Sequence, residues 1–445
     1  MKRVVCFGVM ALWVGAATAS PVDQFGIGAR TSAFAGAGTA SATDFSANHF
    51  NPAGLAEARR TQLSFGFQTA LPRAAFGERR SRLPSAPAFT GGLVAPGALF
   101  GVPFAFGLAL RLPKGRVSHS ESIADDEPTW ILFQTRPLLL YLSSNVAIEP
   151  WPGFSLGAGV GFLASTRGGF RVRGKAYLPG LGASLYESDL EHAIDAELTS
   201  RRYPQAGVRY RPDDDWAFGV SYRGSASVDV ELAAELRGEL AAGTLSIPVL
   251  YRVLVTSLDR FLPRQARLGV SRRLLRRLSL HAEVVWSDWS DFPTPFDRTE
   301  SVLELEPPDG IELALPPAGA NEPPPAPAFH DTVNPRLGCE WRVPLKPPAV
   351  LALRAGYRYE PSVTDSFLLV DADRHALAFG LGVDEVAMLE DGVRLSFDAY
   401  AEHSSWTARS VVSSSATGSS SVESAGTVEA DGRFWALGAD VTASF

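Results

Sequence analysis

The chain has 445 residues and a net charge of −7, and 46% of its residues are hydrophobic. The acidic balance argues against a nucleic-acid partner, because proteins that bind nucleic acids present basic surfaces. Only Cys6 and Cys339 could form a disulfide, and Cys6 falls in the N-terminal sorting signal described next. Beyond that signal no apolar run reaches the roughly 18 residues that a transmembrane helix needs, so helical spans are excluded.

The first 19 residues have the pattern of a secretory signal peptide. Lys2 and Arg3 supply the positive start, Val4 to Gly15 form the apolar stretch, and Ala17-Thr18-Ala19 matches a cleavage site. The mature chain is therefore predicted to be exported and to begin at Ser20.

Residues 20–58 are dominated by small side chains. Gly and Ala lose backbone entropy on ordering and bury little area in return, so such a segment does not fold alone. It is interpreted as a plug, or hatch, that a surrounding wall holds. The apolar exceptions are predicted either to line a ligand pocket or to anchor the plug by burial, and they are Phe25, Ile27, Phe34, Phe45 and Phe50.

Residues 59–445 contain many segments in which apolar and polar side chains alternate. In the last segment Trp435, Leu437 and Val441 alternate with Gly438 and Asp440. A period of two is typical of a β-strand whose two faces meet different surroundings. Fourteen such strands are predicted, at about residues 61–70, 87–95, 101–112, 131–148, 154–166, 193–211, 216–233, 261–273, 278–291, 332–344, 349–360, 374–386, 393–408 and 432–445.

Two all-β architectures fit such a chain, a transmembrane barrel and an exported sandwich. The strand signals run to about ten residues or more, which is longer than soluble strands usually are. Aromatic residues near segment ends, such as Trp286, Trp289, Tyr357 and Tyr359, suit membrane interfaces. The predicted fold is therefore a transmembrane antiparallel β-barrel of about 14 strands, with short turns on the periplasmic side and long loops outside. The sandwich remains the alternative.

Many charged residues fall on the polar faces of these strands, which would line the lumen. One arginine could bind a ligand carboxylate through its guanidinium fork. The preferred interpretation is that arginines and acidic residues of neighbouring strands pair with each other. The residues concerned are Arg111, Arg209, Arg223, Arg267, Arg336, Arg342, Arg354, Arg358, Arg394, Glu340, Glu360, Asp398 and Glu402.

No catalytic residue, metal site or cofactor is predicted. The seven histidines are scattered and form no spacing that is typical of metal ligands. Ser287 and His281 share a strand and a face, but no third group accompanies them, so a membrane-embedded hydrolase is only an alternative. Gly157-Ala158-Gly159 lies inside a predicted strand and not before a helix, which argues against a phosphate-binding loop.

Several strings resemble the FadL/TodX family of outer-membrane transporters for hydrophobic compounds. The strongest is the stretch from Ala42 to Leu55, ATDFSANHFNPAGL, which contains the family-like Asn51-Pro52-Ala53. Weaker matches are Val285-Trp286-Ser287-Asp288-Trp289-Ser290, Arg354-Ala355-Gly356-Tyr357, the segment from Asp373 to Gly380, and the terminal Phe445. Together these matches span nearly the whole mature chain.

The resemblance implies passive uptake of long-chain fatty acids or aromatic hydrocarbons across the outer membrane of a Gram-negative bacterium. Ligand would pass an apolar pocket beside the N-terminus and leave sideways at a kinked third strand, where Pro103 and Gly107 are the predicted gate positions. Asn51, Pro52 and Ala53 would join the plug to the wall, although the residues alone also allow an ordinary turn.

The implied partners are a hydrophobic small molecule, outer-membrane lipid and the outer-membrane assembly machinery. A structural or adhesive barrel, in which the plug only seals the lumen, is the alternative without transport.

Overall fold

The computed structural model describes residues 25–81, 83, 85–114, 129–130, 132–133, 140–173, 193–242, 245–293, 298–305, 319–320, 328–366, 369–387, 392–413 and 426–445. The predicted signal peptide, residues 1–19, lies outside the described residues and stays a prediction.

Fourteen long strands form the wall of the molecule. They are β1 Gln62–Phe76, β2 Ala88–Leu99, β3 Val102–Pro113, β4 Tyr141–Trp151, β5 Phe154–Arg173, β6 Ala193–Tyr210, β7 Trp216–Arg223, β8 Gln265–Leu274, β9 Leu278–Ser287, β10 Thr332–Pro344, β11 Val350–Glu360, β12 Arg374–Ala387, β13 Arg394–Trp406 and β14 Gly426–Ser444.

The fourteen strands close into a ring. β1 pairs with β2, with Gln62 opposite Val94, and also with β14, with Gln62 opposite Ser444. Each strand from β2 to β13 is hydrogen-bonded in antiparallel fashion to the next. A closed ring leaves no free strand edge. The predicted barrel is therefore confirmed, and the sandwich alternative is wrong.

The connections alternate in length. The turns β2–β3, β4–β5 and β8–β9 consist of residues 100–101, 152–153 and 275–277, on the side where β1 begins and β14 ends. Connections on the opposite side are longer, as in residues 77–87 and 288–331. Short turns face the periplasm in outer-membrane barrels, so we refer to the two sides as periplasmic and outer.

The outward face of the barrel is apolar and the inward face is polar or small. Outward Phe65 and Leu337 are 65% and 56% exposed, whereas their inward neighbours Ser64 and Arg336 are buried. A water-soluble sheet would expose its polar face instead. This inverted pattern is the one expected of strands that stand in lipid.

Two wall strands continue on the outer side as a long hairpin. β7 is followed by Ala226–Ala242, which pairs with Leu245–Leu262, and that strand leads into β8. The first arm also pairs in parallel with the end of β5, and the second pairs with Arg298–Leu305. The strands predicted at residues 216–233 and 261–273 imply a loop at 234–260, and this prediction is wrong, because the two arms of the hairpin occupy most of that stretch.

Shorter strands complete the outer end of the barrel. They are Arg79–Ser81, Thr129–Trp130, Gly319–Ala320, Leu369–Val370 and Arg409–Ser413. Trp289, expected at a membrane interface, is instead 1% exposed, because β9 ends at Ser287 and the chain then enters a buried aromatic cluster.

The helices precede the barrel and are short. They are α1 Ala29–Ser32, α2 Ala47–Phe50 and a 3-10 helix at Pro52–Glu57. Within the described residues, none of the helices has the length and apolar character that a membrane span requires.

Candidate functional site

Residues 25–58, which we call the inner segment, contact strands on opposite sides of the barrel. The backbone N–H of Thr39 donates to Glu283 Oε2 on β9 at 2.7 Å. Across the lumen, Ser143 Oγ on β4 donates to the Asn48 carbonyl at 3.2 Å. Most side chains of the segment are buried. The segment therefore lies inside the lumen.

The start of the inner segment is held by β13 and β14. Tyr400 Oη donates to the carbonyl of Phe25 at 2.9 Å. The carboxylate of Asp440 accepts a hydrogen bond from the backbone N–H of Ala29. Both wall residues are buried, so water could not replace either bond, and its loss would leave a buried polar group without a hydrogen-bond partner.

The Asn51-Pro52-Ala53 motif joins the inner segment to β6. Asn51 Nδ2 donates to the carbonyls of Thr39 and Val208, at 2.9 and 3.0 Å. Asn51 Oδ1 accepts from the backbone N–H of Ala53 at 3.1 Å and so caps the 3-10 helix, whose first residue is Pro52. One buried amide therefore links two parts of the segment to the wall.

Inward-facing glycines let the wall and the inner segment approach closely. A Cβ atom at Gly356 would lie 2.2 Å from the carbonyl carbon of Phe34, and one at Gly219 would lie 2.2 Å from the Thr39 oxygen. Such distances exclude any side chain at these positions. A Cβ atom would also lie 2.0–2.8 Å from the inner segment at Gly107, Gly157, Gly207, Gly338 and Gly380.

The five apolar residues predicted to line one pocket occupy three separate places. Phe25 belongs to an aromatic cluster at the outer end of the lumen. Ile27, Phe45 and Phe50 pack in a second cluster against β2, β3 and β4. Phe34 lies against His281, with ring centroids 4.6 Å apart. The structure therefore does not bring the five side chains together.

The outer aromatic cluster consists of Phe25, Trp130, Phe133, Trp406 and Phe434. Phe133 and Trp406 have ring centroids 4.4 Å apart, and Trp130 and Trp406 are 4.7 Å apart. Phe25 meets Phe434 edge to face at 5.5 Å. All five side chains are at most 6% exposed. Aromatic side chains of the wall, the outer loops and the inner segment thus meet at one point.

The same buried cluster continues toward β9. Trp289 and Phe329 have ring centroids 6.5 Å apart, and Phe292 and Phe329 stack at 4.1 Å. Phe261, at the end of the outer hairpin, contacts Phe292 at 5.2 Å. An apolar zone therefore extends across the outer end of the lumen.

Several buried hydrogen-bond donors in this zone lack an acceptor. Within the described residues, nothing accepts from the indole Nε1 of Trp130, Trp289 or Trp406. Arg374, whose Cζ lies 5.2 Å from the ring centroid of Phe133, likewise has an unpaired Nη2. A buried donor without a partner is costly, so the zone suits a guest that carries an acceptor.

The other atoms of Arg374 are paired at the rim of the zone. Its Nη1 donates to Asp371 Oδ1 at 2.8 Å, and its Nε donates to Glu360 Oε2 at 3.3 Å. Burial raises the pKa of the Asp371 carboxyl, although Arg374 and the N–H of Val363 oppose this shift. These contacts fix the position of the guanidinium.

The lumen arginines of β10 to β13 pair with acids on neighbouring strands. Arg354 contacts Glu340 at 2.8 Å and also binds Asp398. Arg358 binds Glu402 through Nη1 and Nη2, at 3.1 and 2.7 Å. This finding confirms the preferred interpretation for these arginines, because each one has its charge met by the wall itself.

On the other side, two arginines surround a histidine of the inner segment. Arg223 Nη1 and Arg267 Nη2 lie 3.3 and 3.2 Å from the two ring nitrogens of His49. Both arginines also donate to Gln265 Oε1, at 2.7 and 2.9 Å. These polar contacts fix α2 against β7 and β8.

The inner face of β3 differs from this polar wall. Below Arg111 its inward positions carry Pro103, Ala105, Gly107 and Ala109, and Ala105 and Ala109 pack in the second cluster. The space at Gly107 is filled by Asn48 and Leu55, which would lie 2.6 Å from a Cβ atom. The pairing of β3 with β2 and β4 runs without a register shift.

The comparisons with known proteins agree with this arrangement. Residues 8–445 match the family model described as outer membrane protein transport protein (OMPP1/FadL/TodX). The chain belongs to this family. FadL/TodX proteins transport hydrophobic compounds across the outer membrane, so this chain is an outer-membrane transport protein and not an enzyme. No match to a curated protein sequence was found.

Solved FadL/TodX structures share the fold. A FadL homologue from Pseudomonas aeruginosa is 18% identical with a TM-score of 0.56, and the match covers 96% of this chain and 99% of that one. The toluene transporter TodX of P. putida is 15% identical, with a TM-score of 0.53 and coverages of 95% and 99%. The toluene transporter TbuX of Ralstonia pickettii is 17% identical, with a TM-score of 0.53 and coverages of 94% and 98%.

The hydrolase alternative is contradicted by membership of the FadL/TodX family and by the geometry. Ser287 Oγ accepts from Gln265, whereas His281 Nδ1 is 2.9 Å from Ser271 Oγ. Six residues along a strand separate Ser287 from His281 by about 20 Å, which is far beyond a hydrogen bond. The described part of the chain also contains no group of three or more His, Cys, Asp or Glu residues that could hold a metal ion.

Sequence reasoning missed much of the outer aromatic cluster. Phe133 lies in a stretch that was expected to be part of a continuous strand at 131–148, and Trp130 directly precedes that stretch, yet β4 begins only at Tyr141. The inward position of Trp406 could have been predicted from the alternation, because Trp406 lies two residues after Ser404 and four after Glu402, which face inward on β13.

Proposed function

We propose that this FadL/TodX protein carries long-chain fatty acids passively across the outer membrane of a Gram-negative bacterium. The observation that supports this proposal most directly is the buried aromatic zone whose indole and guanidinium donors lack acceptors. A fatty acid offers both parts that such a zone requires, an apolar chain and a carboxylate acceptor.

The driving force is the burial of apolar surface. A chain that leaves water for the aromatic zone gains about 25 cal/mol for each Å² of apolar area buried. A hydrogen bond to a charged group adds about 1.5–3 kcal/mol when the donor is already buried. Trp130, Trp406 and Arg374 would supply such bonds without losing any bond that they make now.

The inner segment is the proposed plug and gate. Phe25 belongs to the aromatic zone, and the residues after it fill the lumen down to the 3-10 helix at Pro52–Glu57. A fatty acid can therefore advance only if the start of the segment moves. The hydrogen bonds of Phe25 and Ala29 to Tyr400 and Asp440 are the contacts that such a movement would break.

The proposed exit is sideways through β3 into the membrane. The second apolar cluster, which contains Ile27, Phe45 and Leu55, leads from the plug to the inner face of β3. Pro103 lacks a backbone donor and Gly107 lacks a side chain, so these two positions hold the wall less strongly than other residues of the strand would. On the opposite wall, ion pairs such as Arg358 with Glu402 would resist an apolar ligand.

Aromatic hydrocarbons are the second candidate ligand class. The zone is lined by aromatic rings, and two structural neighbours are toluene transporters. A hydrocarbon, however, would leave the buried indole and guanidinium donors unpaired.

Binding of palmitate, hexadecane and toluene to the purified protein in nanodiscs would separate the candidates. Trp406→Phe removes the N–H donor and keeps an aromatic ring, so we expect it to weaken palmitate binding about tenfold and to leave hexadecane binding unchanged. Trp435→Phe is the matched control, because Trp435 is 48% exposed on the outward face of β14.

Two outcomes would overturn the fatty-acid proposal. One is toluene binding with no palmitate binding, which would favour the second candidate. The other is equal palmitate affinity in wild type and in Trp406→Phe, which would place the carboxylate away from the aromatic zone.

A further inference from the structure

A groove crosses the outward face of the barrel, on the wall opposite β3. Its volume is about 550 Å³, which lies within the usual range for ligand pockets. Large outward side chains form its sides, among them Leu280, Leu337, Leu377 and Phe379, which are 42–61% exposed. The groove therefore opens toward the lipid and not toward the lumen.

Small side chains on three adjacent strands form the floor of the groove. Ala282 on β9, Cys339 on β10 and Ala355 on β11 all face outward, and Cys339 stands opposite Ala355 in the pairing register. Their larger neighbours rise on both sides, so a channel runs between them. An acyl chain is the apolar molecule that surrounds this face in a membrane.

One end of the groove lies near the periplasmic interface. Arg272, two residues before the end of β8, lines the groove and places its Cζ 4.6 Å from the ring centroid of Trp216. Tryptophan is typical of membrane interfaces. Arginine offers a planar fork of donors that fits phosphate oxygens.

The adjoining turn is strongly basic. Arg273, Arg276 and Arg277 are exposed around Leu275, which is 84% exposed. Lys346, on the turn between β10 and β11, adds a further exposed positive charge on the groove side. The acidic residues at 213–215 belong to the turn before β7, where the Asp215 carbonyl accepts from the backbone N–H of Arg273 at 2.7 Å.

The arginines near the groove keep their charges available. Within the described part of the chain, no carboxylate forms an ion pair with Arg272, Arg276 or Arg277. The contrast with the paired arginines inside the lumen is clear, because Arg354 and Arg358 each contact at least one acid. Clusters of this kind at a membrane surface attract anionic lipid headgroups.

We propose that this groove and the basic turn bind one anionic phospholipid of the periplasmic leaflet. An acyl chain lies over Ala282, Cys339 and Ala355, and the phosphate meets Arg272 together with the guanidinium groups of Arg276 and Arg277. The site is separate from the transport path, since the barrel wall stands between the groove and Phe34 of the inner segment.

Native mass spectrometry can test the site on the full barrel. The protein, purified in a mild detergent, is mixed with phosphatidylglycerol or phosphatidylethanolamine of identical acyl chains. We expect wild type to retain one phosphatidylglycerol in preference to phosphatidylethanolamine. The combined change Arg272→Gln, Arg276→Gln and Arg277→Gln is expected to lower this retention about tenfold or more.

The matched control removes three exposed arginines at the outer end, as Arg73→Gln, Arg80→Gln and Arg433→Gln, and should retain phosphatidylglycerol like wild type. Ala355→Phe fills the floor and should abolish retention with all arginines in place. Equal retention of both lipids by wild type, or equal losses in the two triple variants, would overturn the proposal.

Discussion

The side-chain amide of Asn51 donates to the carbonyl of Val208 at 3.0 Å and thereby ties the inner segment to β6. The same amide group also bonds Thr39 and Ala53, so a single fully buried side chain serves three backbone groups. Because the barrel encloses Asn51 on every side, water cannot replace these bonds. The Asn-Pro-Ala motif thus acts as a fixed point about which the earlier residues could move.

Asn51→Ala is expected to loosen the inner segment without unfolding the barrel. Each buried group that loses its partner costs about 1–3 kcal/mol. Hydrogen exchange should therefore rise at residues 39–57, while the heat-dependent mobility of the barrel in detergent gels stays unchanged. Ser41→Ala is the control, because Ser41 Oγ bonds only the Ala37 carbonyl within the segment. Similar exchange in both variants would contradict the role given to Asn51.

Two opposed glycines predict a graded steric effect. A Cβ at Gly356 would meet the backbone of Phe34 at 2.2 Å, whereas a Cβ at Gly338 would meet the Phe34 side chain at 2.8 Å. Both contacts are with atoms that the backbone of Phe34 holds in place, but the overlap is deeper at Gly356, so Gly356→Ala should displace the segment more than Gly338→Ala. Overpacking of this kind costs about 1–3 kcal/mol. Hydrogen exchange at residues 33–36 should rise more in Gly356→Ala than in Gly338→Ala. A larger rise in Gly338→Ala would contradict the close contact between Gly356 and the Phe34 backbone.

Asp288, on the outer loop after β9, predicts a local dependence on pH. Burial alone would raise the pKa of its carboxyl, but hydrogen bonds from Ser290 and Arg264 outweigh burial and lower that pKa below its usual value. The ionised form therefore stabilises the folded loop. This contribution is complete above about pH 4, the unfolded range of Asp, and is lost as the pH falls through the lower folded pKa.

Hydrogen exchange at residues 288–292 between pH 7 and pH 3 measures this effect after correction for the intrinsic rate. Wild type should lose protection at the acidic end. Asp288→Asn should already be less protected at pH 7 and should change little on acidification. An acid response that persists in Asp288→Asn would assign the transition to another group.

A disulfide across β3 and β4 should block the proposed exit. Ala105 and Ala147 are register partners, both inward-facing and small, and such partners lie within the range that a disulfide spans. In a Cys339→Ser background, oxidation of the pair Ala105→Cys and Ala147→Cys should abolish palmitate uptake, and reduction should restore it.

The control pair is Ala399→Cys and Ala439→Cys, which are register partners on the outward faces of β13 and β14, away from β3. Oxidation of this pair should leave uptake intact. Uptake that continues with β3 and β4 cross-linked would exclude an exit between these strands.

The course of the wall could be predicted from the sequence because alternation is a local property. Every predicted strand corresponds to a wall strand, and β10 has the predicted bounds. Alternation also predicted the inward position of Arg354 and Arg358, and with it their pairing to acids on the next strands. Alternation could not distinguish a loop from a hairpin that extends beyond the wall. Only the two ends of the outer hairpin at residues 226–262 were therefore predicted as strands.

The candidate site was harder to predict, since its members come from distant parts of the chain. Phe25 and Phe34 were both expected in one pocket, yet the structure separates them. Trp130 and Phe133 come from the connection between β3 and β4, and no periodic pattern indicates which residues of a connection turn inward. Their contacts with Trp406 and Arg374 join this connection to β12 and β13, which are distant in the sequence.

By itself the sequence determined that strands with two different faces would close around a segment too poor in large side chains to fold alone. These properties follow from residue type and spacing, which act over a few residues. Only the tertiary structure decided which side chains meet across the lumen, because closure of the ring sets the register of all fourteen strands together. Closure also placed unpaired buried donors at the outer end, apolar residues at β3 and a lipid-facing groove on the opposite wall.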